Sequence, residues 1–104
     1  MNQHFSVYDL FDTEGTVAGL TIGATATALT KSIYMPSGMI AKYALLTVET
    51  DQIRWWADGS TPTATWGHLS NIGDVIELHG ANQIINFSAI RVSGNALLQV
   101  SYGR

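Results

Sequence analysis

The sequence contains no cysteine, which excludes disulfide bonds and any reaction that needs a thiol. It also contains no apolar run that approaches the roughly 20 residues needed to cross a bilayer. The first residues, MNQHFSVYDLFD, lack the basic region and apolar core of a signal peptide. We therefore expect neither a membrane partner nor export by a cleaved signal.

Charge is also scarce. Charged residues make up 12% of the 104 residues, which is about half the usual share. The five basic residues are dispersed along the chain, whereas nucleic-acid binding needs clustered cations. Nucleic acid is therefore not an expected partner. A surface with few ions costs little to desolvate against another protein, so the composition favours an oligomer or a subunit of a larger assembly.

Histidine and acidic residues are present, but their spacing along the chain is not that of a catalytic or metal site. His4, His68 and His79 are far apart and lack metal-pair spacing. Asp74 and Glu77 are three residues apart, so in a strand they face opposite sides and cannot form an acid/base pair. Neither a G-x-S-x-G motif nor a glycine-rich phosphate loop occurs. We expect no catalytic activity, no cofactor and no metal.

Short stretches of alternating apolar and polar residues recur between turn signals about every 8–12 residues. Strands are expected within 16–34, 41–50, 52–57, 64–66, 75–78, 82–92 and 96–102, where 82–92 reads as one bent strand or two. Turns are expected at 35–38, 58–59, 71–74 and 93–95. The pattern predicts an all-β fold over residues 17–104: a single β-sandwich or jelly-roll-like barrel of about eight short antiparallel strands.

Residues 1–16 are predicted to form an N-terminal arm ahead of this domain. Phe5, Tyr8 and Phe11 follow no clear period, so they do not read as part of a strand or helix face. A frayed terminus is one interpretation. Solvated tails rarely carry three aromatic residues so close together, and this favours an arm that docks on a neighbouring subunit.

All three tryptophans lie between Glu49 and His68. In one interpretation, Trp55 and Trp66 are core residues of facing strands, and Trp56 covers the opposite face or a subunit contact. The alternative is an aromatic platform on which a sugar ring stacks. Its polar partners would be Arg54, Asp58 and His68.

Two arginines interrupt apolar strands. Arg54 and Arg91 lie in the sequences IRW and IRV, where a guanidinium must be paired or must reach solvent. The expected arrangement is a structural ion pair with Glu49, Asp58 or Glu77; the alternative is that one arginine crosses a subunit interface. The candidate interface residues are therefore Phe5, Tyr8, Phe11, Arg54, Trp56 and Arg91.

Several short motifs occur together in roughly residues 41–104. They are Thr47-Val48-Glu49, Ile53-Arg54, DGSTPT at 58–63, Gly67-His68, Gly73-Asp74, FSAIR at 87–91 and Val100-Ser101-Tyr102. As a set they resemble small uncharacterised proteins encoded among the structural genes of tailed bacteriophages.

This resemblance implies a non-enzymatic virion component, made in the cytoplasm of the bacterial host. The leading expectation is a capsid cement or decoration protein that bridges major capsid protein subunits, with itself as a further partner in a homo-oligomer such as a trimer. Two alternatives are a small head–tail or tail-associated adaptor and a carbohydrate-binding β module of a phage adhesion apparatus, which would add a glycan as ligand.

Overall fold

The computed structural model describes residues 17–35, 38 and 40–103. The predicted arm, with Phe5, Tyr8 and Phe11, lies outside the described residues. Pro36 and Ser37 of the predicted turn at 35–38 lie outside them as well.

The described residues form eight strands and two short helices, as the sequence pattern predicts for an all-β domain. In chain order these are β1 (Val17–Ile22), β2 (Thr27–Ala28), α1 (Lys31–Tyr34), β3 (Tyr43–Glu49), β4 (Ile53–Trp56), β5 (His68–Ser70), β6 (Val75–His79), α2 (Ala81–Ile85), β7 (Ser88–Arg91) and β8 (Ala96–Gly103).

The strands form two four-stranded antiparallel sheets, in the orders β1-β8-β3-β6 and β2-β7-β4-β5. The first strand pairs with the eighth, the second with the seventh, the third with the sixth and the fourth with the fifth. This is the order obtained when one long hairpin, centred on the β4–β5 connection, wraps around itself into two sheets. The predicted jelly-roll-like sandwich is thereby confirmed.

Alternation along the strands determines which side chains form the core between the sheets. In β3, Ala44, Leu46 and Val48 are buried and share one face, because successive side chains of a strand point to opposite sides. The other sheet contributes Ile53 and Ala89, which are also fully buried. Burying each large aliphatic side chain stabilises the fold by about 1.5–3 kcal/mol.

The interpretation of 82–92 as strand is wrong in its first half. Ala81–Ile85 forms α2, and only Ser88–Arg91 forms a strand. The chain must cross from one sheet to the other here, and Gly80 turns it with φ +96° before a single helical turn buries Ile84. The stretch 31–34, also expected to be extended, forms α1 and buries Tyr34. Short apolar runs of this kind do not distinguish a buried strand from a buried turn of helix.

The strand expected at 64–66 is also replaced by another structure. Thr63 and Trp66 form an isolated bridge with two backbone hydrogen bonds, of 2.9 and 3.1 Å, around a turn at 64–65. The next strand begins only at His68. Trp66 therefore projects from a loop rather than from a sheet.

Candidate functional site

On one side of the sandwich, both sheets end in a strand that has one unpaired edge. Among the described strands, β5 pairs only with β4 and β6 pairs only with β3, so each ends its sheet. A tight turn at 71–74 joins them, closed by the hydrogen bond from Asp74 N–H to the Asn71 carbonyl oxygen at 3.0 Å. Both free strand edges consequently lie on the same side of the molecule. We call this side, residues 66–79, the open edge.

The open edge exposes four large apolar side chains. Trp66, Leu69, Ile72 and Val75 follow one another at intervals of three residues, and each is between 45% and 61% exposed. Asp74 is the only charged residue from position 66 to 75. Single exposed apolar residues are ordinary, but four of them along one edge of the sandwich, with a single charge nearby, give this edge an apolar character.

A continuous row of rings leads from the core to the open edge. Phe87, buried in the core, stacks on Trp55 with centroids 5.7 Å apart. Trp55 contacts His68 at 4.9 Å, and His68 contacts Trp56 at 4.8 Å. Trp56 in turn contacts Trp66 at 4.9 Å. We call these five residues the aromatic row, and its outer end is half exposed to solvent.

Strand pairing and a side-chain hydrogen bond position the inner part of the aromatic row. Trp55 and His68 are register partners in β4 and β5, so their rings lie on the same face of the sheet. The Trp55 indole N–H donates to the hydroxyl of the buried Ser70 at 2.9 Å. This bond satisfies the indole and fixes the ring's orientation.

Arg54 and Gly67 hold the loop that carries Trp66. Arg54 donates from Nε to the Ala64 carbonyl oxygen at 3.2 Å and from Nη1 to the Gly67 carbonyl oxygen at 3.0 Å. Gly67 has φ +139°, and a Cβ atom there would lie 3.2 Å from the backbone N and O of Trp55. The loop therefore approaches β4 as closely as a glycine permits.

The expected ion pairs of the arginines are wrong. Arg54 bonds to backbone carbonyls, and Arg91 donates to the side-chain oxygen of Asn95 in the corner between β7 and β8. Among the described residues the recorded salt bridge instead joins Glu77 Oε1 and His79 Nε2 at 3.2 Å. Each arginine bonds to neutral oxygen atoms of a nearby loop and so supports the local conformation of that loop.

A groove of about 350 Å³ lies between the two sheets beside the open edge. Aromatic rings form one part of its lining and polar side chains another. The lining residues are Trp55, Trp56, Ala57, Asp58, His68, Glu77, Leu78 and Gln83, with no lysine or arginine among them.

The polar side chains of the groove have defined partners and charges. Asp58 Oδ1 accepts the Ser60 N–H at 2.9 Å, which lowers the pKa of this carboxyl group and keeps it ionised at neutral pH. Gln83 Oε1 accepts the His79 N–H at 2.8 Å, so its side-chain nitrogen is the end left for another partner. Glu77 shares one carboxylate oxygen with His79. The groove thus presents acceptors from two acids and a donor from one amide.

Trp56 contributes an unusual group to this site. Its indole Nε1 is buried and has no hydrogen-bond partner among the described residues. Leaving such a donor unsatisfied costs about 1–3 kcal/mol. Buried polar groups nearly always have a partner, so this donor needs an explanation, and a ligand or a water molecule in the groove would provide one.

Residues 17–35, 38 and 40–103 contain no group of three or more His, Cys, Asp or Glu side chains placed to hold a metal ion. No helix among them is long and apolar enough to span a bilayer.

The structure brings together only part of the predicted set. Trp56 lines the groove, with Arg54 supporting the adjacent loop, whereas Arg91 lies in a separate corner. The expectation that Trp66 is a core residue is wrong, since it is 52% exposed. Sequence reasoning missed Glu77 and Gln83, because only the folded chain places them beside Trp56. The repeated interval from Trp66 to Val75 was a usable signal for the exposed side chains.

Comparison with known proteins provides no relative for this chain. No family model matches it, and neither a curated protein nor a solved structure does so. The open edge and the groove are therefore interpreted from their own chemistry.

Proposed function

We propose that the protein is a non-enzymatic structural component of a tailed-phage virion: a capsid cement or decoration protein that bridges major capsid protein subunits. The observation that carries the proposal is the open edge, where four exposed apolar side chains lie in or next to two strands that each have one unpaired edge. The resemblance of residues 41–104 to phage structural proteins supplies the setting and the partner.

The open edge has the two kinds of group that a stable protein contact needs. Fully burying a side chain such as Leu69 or Ile72 against a partner contributes about 1.5–3 kcal/mol. The free N–H and C=O groups of β5 and β6 can bond to an added strand or loop, which gives the contact a direction. With Asp74 as the only charge from 66 to 75, little charge has to be desolvated.

Fold and composition are compatible with this role. Jelly rolls occur in viral capsid proteins and in lectins, although a fold by itself does not determine function. The chain has a low share of charged residues, and a subunit that is largely covered in its assembly does not need many. In a homo-oligomer such as a trimer, each copy would present the same open edge to a capsid subunit.

The decisive experiment is the copy number in purified particles of the encoding phage, measured by quantitative mass spectrometry against the major capsid protein. A number comparable to that of the major capsid protein supports cement or decoration. A few copies per particle would replace this role by that of a head–tail or tail adaptor. Absence from the particle would overturn the virion proposal.

A matched pair of variants tests whether the open edge is the docking surface. Ile72 and Ile85 are both exposed, at 61% and 49%, and they lie beyond opposite ends of β6. Ile72→Glu should abolish rebinding to particles that lack the protein, because a charge would have to be buried in the contact. Ile85→Glu should leave rebinding intact. Equal rebinding of both variants would show that another surface docks.

A further inference from the structure

We propose that the groove beside Trp56 is a binding site for neutral saccharides, in which a sugar ring lies against Trp56 and Trp66. Asp58, Glu77 and Gln83 would then bond to its hydroxyl groups. This inference differs from the virion role because it rests on the groove and its polar side chains, although Trp66, His68 and Glu77 belong to the open edge as well.

The size and lining of the groove suit a small polar ligand with an apolar face. Its volume of about 350 Å³ falls in the range of small-molecule sites, about 300–1,000 Å³. The lining has aromatic rings on one part and three polar side chains on another. A pyranose ring likewise has an apolar face and a polar edge. The C–H face of such a ring packs on an indole, while its hydroxyl edge needs donors and acceptors.

The polar side chains can complete the hydrogen bonds of a sugar. Asp58 is ionised at neutral pH and interacts with both the N–H and the side chain of Ser60. A carboxylate has about four lone-pair sites, so it can still accept a hydrogen bond from a sugar hydroxyl. Glu77 likewise has one oxygen shared with His79. The side-chain nitrogen of Gln83 is a donor to a hydroxyl or ring oxygen, because its oxygen is already bonded to the His79 N–H.

The geometry of the rings argues against a cationic ligand. A cation needs space over a ring face, within about 6 Å of the centroid, and an aromatic cage holds it between separated rings. Here Trp56 contacts His68 at 4.8 Å and Trp66 at 4.9 Å, with interplanar angles of 59° and 52°. The rings are therefore packed against one another at a tilt and do not form a cage of separated rings around an empty centre.

The charge of the groove argues against an anionic ligand. Phosphate and carboxylate ligands are bound by arginine, lysine or clustered N–H donors. The lining has two carboxylates and no basic residue apart from His68. Acidic sugars should accordingly bind more weakly than neutral ones.

The site is held in place before any ligand arrives. Arg54 ties the loop of Trp66 through two carbonyl oxygens, and Ser70 fixes Trp55 behind His68. Such preorganisation reduces the ordering cost of binding. A fixed aromatic surface next to carboxylates is what a stacked and hydrogen-bonded ring requires.

The test is titration of the full chain with a panel of soluble neutral oligosaccharides built from hexoses and N-acetylhexosamines, followed by the indole N–H signals in NMR spectra. Uronic acid oligosaccharides and a trimethylammonium compound serve as comparison probes. The expected result is a shift of the Trp56 and Trp66 signals with neutral sugars, at lower concentrations than with either comparison probe. No shift with any neutral sugar, or stronger shifts with the cation, would overturn the proposal.

Variants separate this site from the docking surface. Trp66→Ala and Asp58→Asn should each weaken sugar binding about tenfold, equivalent to about 1.4 kcal/mol. In Asp58→Asn the side-chain amide oxygen can still accept the Ser60 N–H, so the turn should keep its shape. Leu69→Ala is the matched control on the open edge and should bind sugar normally. The Asp58→Asn variant should still rebind to particles, so a failure of sugar binding can be distinguished from a failure of docking. An unchanged affinity of the Trp66→Ala variant for sugar would refute the stacked pose.

Discussion

The indole rings of Trp56 and Trp66 lie 4.9 Å apart and are tilted by 52°, although one belongs to a strand and the other to a loop. This contact joins the aromatic row to the open edge. It depends on the loop from 57 to 67 folding back over β4, and two residues of the same region, Arg54 and Gly67, control that approach.

Gly67→Ala should destabilise the fold and displace Trp66. The substitution combines a positive φ, which costs an L residue about 1–2 kcal/mol, with overpacking against the Trp55 backbone, which costs about 1–3 kcal/mol. Gly73→Ala is the control, because Gly73 also has a positive φ but nothing within 4 Å of an added Cβ. Urea unfolding should show a clearly larger loss for Gly67→Ala, and equal losses would show that the close approach has no effect on stability.

Arg54→Lys should loosen the loop while preserving the charge. An ammonium group cannot reproduce the fork that bonds both Ala64 and Gly67, so at least one hydrogen bond is lost, at about 0.5–1.5 kcal/mol. Amide hydrogen exchange over 57–67 should become faster. Arg91→Lys, in the separate β7–β8 corner, should leave exchange in this loop unchanged. If Arg54→Lys exchanges like the parent protein, the guanidinium does not hold the loop.

Thr50→Gly should stabilise the protein. Thr50 has φ +78°, and the Asp51 N–H bonds to the Glu49 carbonyl oxygen at 2.9 Å, which together describe a strained γ-turn between β3 and β4. Glycine removes the steric cost of a β-branched residue there, for a net gain of about 0.5–1 kcal/mol after its extra chain entropy. Thr25→Gly, at an exposed residue without a positive φ, should not stabilise. A lower midpoint of urea unfolding for Thr50→Gly than for the parent would contradict the prediction.

Tyr102→Phe should be neutral or stabilising near neutral pH. The Tyr102 hydroxyl is buried without a hydrogen-bond partner among the described residues, so its removal relieves a desolvation cost of about 1–3 kcal/mol. Tyr34, whose ring centroid lies 6.1 Å away, offers the comparison Tyr34→Phe, which should not share this gain.

The buried Tyr102 hydroxyl also leads us to expect that the stability of the fold depends on pH in the alkaline range. Burial, and secondarily the neighbouring Tyr34, raises the pKa of Tyr102 above its ordinary value. Above about pH 10 the unfolded chain loses this proton while the folded chain keeps it, so stability falls as pH rises, by up to about 1.4 kcal/mol per pH unit. Tyr102→Phe should lack this part of the slope. Identical slopes in the two proteins, measured by urea unfolding across this range, would show that the hydroxyl ionises normally in the fold.

Period-two alternation was sufficient to predict the class of the fold. It located β6 and β8 closely, since Ile76 and Leu98 alternate with more exposed neighbours. The stretch that forms β3 is apolar on both faces, and there the β-rich context, rather than alternation, favoured a strand over a short buried helix. Alternation failed at α2 and at 64–66, where short apolar runs satisfy strand, helix and turn equally well. At α2 the crossing from one sheet to the other selected the conformation, and at 64–66 the loop between β4 and β5, which Arg54 holds, did so.

The candidate site was only partly visible in the sequence. Trp56, His68 and Asp58 attract notice because they lie within one short stretch rich in tryptophan. Glu77 and Gln83 join them through the pairing of β3 with β6 and through α2, which no local pattern encodes. The partner of Arg54 was mispredicted for the same reason. Every residue has a backbone carbonyl oxygen, so the sequence does not indicate which of them a guanidinium will bond to.

Without any knowledge of the fold, the residues already indicate a small, weakly charged, cysteine-free β domain whose tryptophans are concentrated in one region. These properties follow from composition and from the period of side chains along a strand, which are local. The tertiary structure alone decided that β5 and β6 leave their edges free on one side, that Trp66 faces solvent, and that two carboxylates and an amide meet an aromatic surface. Those relationships join residues from different sheets, and they exist only once the core between the sheets has brought the strands together.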